Sequence, residues 1–209
     1  MQIKQITFFN NFMNVDTDKK QIYLHHTAGA DNAEQVFHYW QSDTTPVATC
    51  VVIGRNGQIV QGFSSKKWAF HLGLSNKHFA AMGLPYKNLD QNSIGIEICA
   101  WGQLTLKDGK FYNYVGGVVP ESEVCTLAEP FRGYKHYHKY STAQICAVKE
   151  LLKLWRDKYN IPLSYNENMW DVNKDAMSGK AGVWAHVSCR KDKVDVFPQP
   201  ELIDMLKSL

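Results

Sequence analysis

The sequence predicts an α/β fold: a central mixed β-sheet flanked by helices, with an insertion, in a chain of 209 residues. Three observations predict it. Apolar runs at 21–26 and 93–100 read as buried strands, Asn56-Gly57 joins two further strands, and helical periodicity marks the segments following residues 31 and 141. Strands mixed with amphipathic helices bury their apolar faces best as a sheet covered by helices.

Each element has a local reason. Gln21 to His26 is a buried strand ending in the polar turn Thr27 to Asn32. Asp31 or Asn32 caps a helix through Ser42, with Val36, Phe37 and Trp40 on one face. Ala48 to Ile53 and Gln58 to Phe63 form a hairpin around Gly54-Arg55-Asn56-Gly57, since Asn-Gly is the strongest short hairpin signal. Ser93 to Ala100 is a strand with an almost unbroken apolar run. Residues 102–140, rich in Gly, Tyr and charge, are read as an excursion from the core, with Phe111 to Val119 a strand within it. Ser141 with Gln144 makes a capping box for a long helix to Tyr159, striped by Ile145, Val148, Leu152 and Trp155. Pro200 to Leu209 closes the chain as a short helix.

Composition narrows the function classes. With 44% hydrophobic and 21% charged residues the chain can build a core, and its length suits one domain over 1–209 with an insertion at about 102–140. A net charge of +3 is too small to argue for nucleic acid, though it suits loose attraction to an anionic polymer. No stretch approaches the ~20 apolar residues of a membrane span, and Met1 to Asn14 lacks a signal-peptide core. The expectation is a monomer made in the cytoplasm. Five cysteines, odd in number and without CxxC spacing, argue for free thiols rather than a disulfide framework.

Four places carry chemistry. His25-His26 ends the first strand, and only one of the pair can face a given site, because neighbours on a strand point to opposite faces; a hydrogen-bonded structural histidine is the competing reading. His186 precedes Lys193 and Asp195 on one segment, where imidazole and carboxylate can meet across a loop. With His25 they make three N/O ligands and leave zinc's fourth position open, as a hydrolytic site requires; ordinary surface residues are the alternative. Glu97 lies mid-strand, where a carboxylate is costly to bury without a partner. It is either a general base near a metal-bound water or half of a buried salt bridge. Trp68-Ala69-Phe70-His71-Leu72-Gly73 either lines a polar cleft or is core and loop.

Taken together, Ile22 to Ala28, Val51 to Ile59, Trp68 to Gly73, Asn92 to Glu97 and His186 to Pro198 resemble the zinc-dependent N-acetylmuramoyl-L-alanine amidases. That family includes phage lysozyme-type amidases, bacterial recycling amidases and animal peptidoglycan-recognition proteins. The similarity spans roughly residues 20–101 and 141–209. It implies Zn2+ held by His25, His186 and Asp195, with Lys193 at the scissile carbonyl and Glu97 as base. It also implies His71 and Trp68 on the substrate, and a peptidoglycan or muropeptide substrate cut between N-acetylmuramic acid and L-alanine. Cys189 is a rival third ligand, disfavoured because the Lys-x-Asp pattern is present. Many members carry a Tyr before the hairpin where this chain has Thr49, followed by Cys50, so that tyrosine's role does not transfer. The implied setting is an endolysin; a recycling amidase and a non-catalytic peptidoglycan-binding module are the alternatives.

Overall fold

The structure is a computed structural model, which describes residues 2–29 and 31–209. Its main layer is a six-stranded sheet built from β1 (Ile3–Gln5), β2 (Gln21–His26), β3 (Val51–Ile53), β4 (Ile59–Gln61), β5 (Ser93–Ile98) and β11 (Gly182–Ala185), in the order β1-β4-β3-β5-β2-β11. Only β3 and β4 pair antiparallel; the other neighbours are parallel. Every residue of β2 is buried, as expected of a central parallel strand covered on both faces. Its register sets Tyr23 beside Gly95 and His25 beside Glu97.

Helices flank this sheet. α1 (Ala33–Ser42) starts where the Asn32 side chain accepts from the amides of Glu34 and Gln35, and it buries Phe37 into a cluster of aromatic rings with Phe8. α2 (Asn76–Ala80) is a short helix beyond the Trp68–Gly73 segment. α3 (Thr142–Tyr159) has the capping box read from Ser141 and Gln144, and Ile145, Val148, Leu152 and Trp155 are all buried. Gln144 also reaches past its own helix: Nε2 donates to the carbonyl of Cys99 at 2.8 Å, and Oε1 accepts from Arg55. α4 (Lys174–Ser178) and α5 (Pro200–Lys207) follow.

Residues 102–140 form a second sheet. It comprises β6 (Gln103–Lys107), β7 (Lys110–Tyr112), β8 (Val118–Val119), β9 (Val124–Phe131) and β10 (Tyr134–His138), ordered β8-β7-β6-β10-β9. Tight turns with positive φ at Asp108-Gly109 and Arg132-Gly133 make its hairpins. The expected single strand from Phe111 to Val119 is two strands instead. Asn113 breaks it: its buried side chain accepts from the amides of Val115 and Gly117, and the chain reverses there. Pro130 is tolerated because β9 is an edge strand. Gly102, at φ 77°, is where the chain enters this sheet; a Cβ there would lie 2.6 Å from His26 Nε2. The hydrophobic core is continuous from the main sheet to Leu127 and Tyr137 of the second.

Candidate active site

His25, His186 and Asp195 converge. The C-terminal end of β2 supplies His25, the turn that follows β11 supplies His186, and the segment before α5 supplies Asp195. Nδ1 of His25 lies 3.0 Å from Nδ1 of His186, and Asp195 Oδ2 lies 3.3 Å and 3.0 Å from those two atoms. All three residues are buried. The Asp195 segment is held at both ends. Its carbonyl accepts from the amide of Val187, and Phe197, fully buried, stacks on Tyr137 and Tyr140 at 4.3 and 4.8 Å. The second sheet therefore braces the carboxylate.

The surrounding contacts fit one assignment of the ring protons. His186 Nε2 contacts the carbonyl of Leu72 at 3.1 Å, and a carbonyl only accepts, so Nε2 bears the hydrogen and Nδ1 presents a lone pair. A chain of four groups does the same for His25. Ser93 donates to the Asp90 carbonyl and accepts from His71 Nε2 at 2.9 Å. His71 Nδ1 then accepts from His25 Nε2 at 2.9 Å, which leaves His25 Nδ1 unprotonated. Two imidazole lone pairs and a carboxylate oxygen thus face one another with no proton between them. That arrangement is repulsive unless a cation occupies it. Bonds of about 2.0–2.1 Å to zinc in tetrahedral geometry separate neighbouring donors by roughly 3.3 Å, so the triangle fits such an ion.

The electrostatics agree with this protonation. Burial, followed by the neighbouring His186, lowers the His25 pKa to about 4, so the ring is neutral near pH 7 as a ligand must be. His71 is pushed well below the usual imidazole range, chiefly by burial. Burial raises the Asp195 carboxyl, but the adjacent imidazoles, His186 before His25, more than reverse it, holding it well below the carboxylate range.

Glu97 shares the sheet face of His25 through the β2–β5 register. Burial, and then the Asp195 charge, push its carboxyl well above its ordinary value, while the Lys193 charge pulls it down. Its Oε2 is buried with no hydrogen-bond partner. No salt bridge neutralises it among the described residues, so the buried-ion-pair reading fails. Lys193 is half-buried, and its charge reaches Glu97.

Comparison with known proteins decides what this constellation belongs to. The profile of the family described as N-acetylmuramoyl-L-alanine amidase (Amidase_2) matches residues 16–198. The chain belongs to the N-acetylmuramoyl-L-alanine amidase family. It is an enzyme that hydrolyses the amide between N-acetylmuramic acid and L-alanine in peptidoglycan. The fold is similar to that of PlyL (16% identity, 99% of this chain and 98% of that chain, TM-score 0.57). It is similar as well to N-acetylmuramoyl-L-alanine amidase LysC from Clostridium intestinale URNW (13%, 99% and 97%, 0.53) and to an AmpD derivative (14%, 98% and 93%, 0.51). No curated protein sequence matches the chain.

In the amidase the remaining expected residues sit as follows. His71 lies behind His25, and its backbone amide donates to Asp90. Trp68 is half-buried, edge-on to Phe70 at 5.2 Å, with its backbone paired to Met13. Cys189 points away from the donor triangle: its thiol donates to the Tyr23 hydroxyl at 3.3 Å, and burial raises its pKa to about 12. Thr49 packs against Gly95, where a Cβ would approach Thr49 Cγ2 to 2.4 Å. His26 points to the opposite face and contacts the Tyr140 hydroxyl. Sequence reasoning missed Ser93, Asp90 and the Leu72 carbonyl. Ser93 stands inside the Asn-Ser-Ile-Gly-Ile-Glu stretch, but its role appears only when His71 is folded onto it. No helix among the described residues is long and apolar enough to cross a membrane.

Proposed function

We propose that the amidase is zinc-dependent, with His25, His186 and Asp195 as ligands, Glu97 as general base and Lys193 as oxyanion stabiliser. The observation that carries this reading is the convergence of three buried N/O donors, 3.0–3.3 Å apart, on the face of the sheet that holds a carboxylate oxygen, buried and without a hydrogen-bond partner. When bound, the metal supplies Lewis acidity that polarises the carbonyl and acidifies the attacking water. Glu97 Oε2 accepts the proton from that water as it adds to the lactyl carbonyl, then delivers it to the amine of L-alanine as the C–N bond breaks. Burial raises the proton affinity of the Glu97 carboxyl, which suits a group that must take up and then return a proton. The Lys193 ammonium offsets negative charge developing on the carbonyl oxygen. His71 acts as a positioning residue, fixing the His25 ring, and no direct substrate role is assigned to it or to Trp68.

The setting we infer is cell-wall lysis, with the enzyme acting on peptidoglycan after release from the cell that makes it. A structural neighbour, a mutant endolysin from Bacillus subtilis, supports it at the level of fold (18% identity, TM-score 0.56). The test is release of peptides and new amino termini from purified peptidoglycan, with chelator and then with zinc restored. Activity that vanishes and returns supports the reading. Full activity of a zinc-free preparation refutes it.

A further inference from the structure

A cleft of about 630 Å³ runs from Glu97 between α1 and the β7–β8 turn of the second sheet. Its walls are aromatic and come from separate elements: Tyr39 and Trp40 from α1, Trp101 from the entry to the insertion, and Tyr114 with Val115 from the turn. Tyr114 and Val115 are 64% and 62% exposed, and Tyr39 is 65% exposed, so nothing among the described residues covers these large side chains.

The turn is built to present them. Asn113, itself buried, ties the amides of Val115 and Gly117 at 3.2 and 2.7 Å, and its own amide donates to the Gly117 carbonyl. Trp101 lies edge-on to Tyr114 with ring centroids 6.2 Å apart, which orients both rings toward the cleft. Among the described residues that line the cleft, Glu97 is the only acidic or basic side chain. An acidic stem peptide would find no cation there, and its carboxylates would meet Glu97. A pyranose ring fits better: it is uncharged, with apolar faces for aromatic rings and hydroxyl and acetamido groups for Gln35 and Thr27.

We propose that this cleft receives the sugar side of the substrate, and that Tyr114 on the insertion turn is a specificity-determining contact for the glycan. The assignment rests on the amidase reading, because Glu97 marks the end at which the lactyl amide is cut. The second sheet then has two roles, bracing Asp195 through Tyr137 and forming the outer wall of the glycan cleft through Tyr114.

The test uses ligands that carry one half of the substrate each. An N-acetylglucosamine oligosaccharide and a free stem tripeptide are titrated separately into the full-length, zinc-loaded protein, followed by tryptophan fluorescence and NMR. The oligosaccharide is expected to bind, and Tyr114→Ala and Tyr39→Ala are each expected to weaken it roughly three- to tenfold, the range of a single aromatic contact. Tripeptide binding should not change. Both residues are exposed, so neither substitution threatens folding, and Tyr114→Phe should retain the affinity. Weakened tripeptide binding with unchanged oligosaccharide binding would overturn the proposal in favour of a peptide cleft. Failure of both ligands to bind also overturns it. Oligosaccharide binding lost in Tyr114→Ala, in a protein that cannot cut the muramoyl amide, would sink the zinc-amidase reading and leave the cleft assignment standing.

Discussion

Acidification of the metal-free amidase offers a direct test of the protonation scheme. His25 and His26 are buried and neutral, each with its pKa lowered to about 4, by burial first in both cases. In the unfolded chain both return to about 6.5. Between those values the unfolded state binds more protons than the folded one, so stability is fully present above about pH 6.5 and is lost as pH falls toward 4. From about pH 7.5 to about pH 5.5, each such histidine costs roughly 1.4 kcal/mol, and the pair about 3 kcal/mol. His71, lowered further still, adds to the loss, whereas Glu97, whose raised carboxyl takes up its proton in the folded state first, offsets part of it. A deficit of that size is a large share of a typical stability of roughly 5–15 kcal/mol.

The assay is urea unfolding of chelator-treated protein at a series of pH values, monitored by tryptophan fluorescence. The expected slope near pH 5.5 is about 2 kcal/mol per pH unit from His25 and His26 together. His26→Gln, which keeps a partner for the Tyr140 hydroxyl, should remove close to half of it. An unfolding free energy that stays flat across this window would refute the claim that these rings are held neutral, and with it the tautomer chain that aims the His25 Nδ1 lone pair at His186 and Asp195.

Other predictions concern the reaction centre. Glu97→Gln is expected to retain stoichiometric zinc by mass spectrometry while losing about 10²- to 10⁴-fold in kcat; near-normal turnover would remove Glu97 from the base role. Ser93→Ala breaks the chain that fixes His71 and through it His25, and should weaken zinc affinity roughly tenfold or more in a competition titration. Asp195→Ala should leave no zinc bound at micromolar metal, because two imidazoles alone do not make a structured site. Arg132 joins the insertion to the ligand segment, pairing with Asp171 at 2.7 Å and donating to the Val187 and Lys191 carbonyls. Arg132→Ala should lower stability by about 1–2 kcal/mol in urea unfolding, and Arg132→Lys should not restore it, since a single ammonium cannot span those acceptors.

What could be seen in the sequence depended on how local the determinant was. β2, β5, α1 and α3 were legible because each carries its own pattern: an apolar run, or a cap followed by a helical stripe. β1 and β11, of three and four residues, were not, because runs that short have no periodicity and exist only by pairing with β4 and β2. In the insertion, the Asp108-Gly109 hairpin carries a recognisable signal, whereas the Arg132-Gly133 turn and the break at Asn113 do not.

The His25-His26 pair makes the same point for the site. Alternation along a strand requires the two rings to face opposite ways, and this much the sequence states. Which of them meets Glu97 is a property of register, fixed by β2 lying in step with β5 so that His25 stands beside Glu97. A slip of one residue would carry His26 to that face and turn Ile22 and Leu24 to the opposite side of the sheet. Ile22, Tyr23 and Leu24 are all fully buried, so each is packed on its own side, and that packing forbids the slip. Which ring faces Glu97 is therefore decided by the apolar residues of β2 rather than by the chemistry of either histidine.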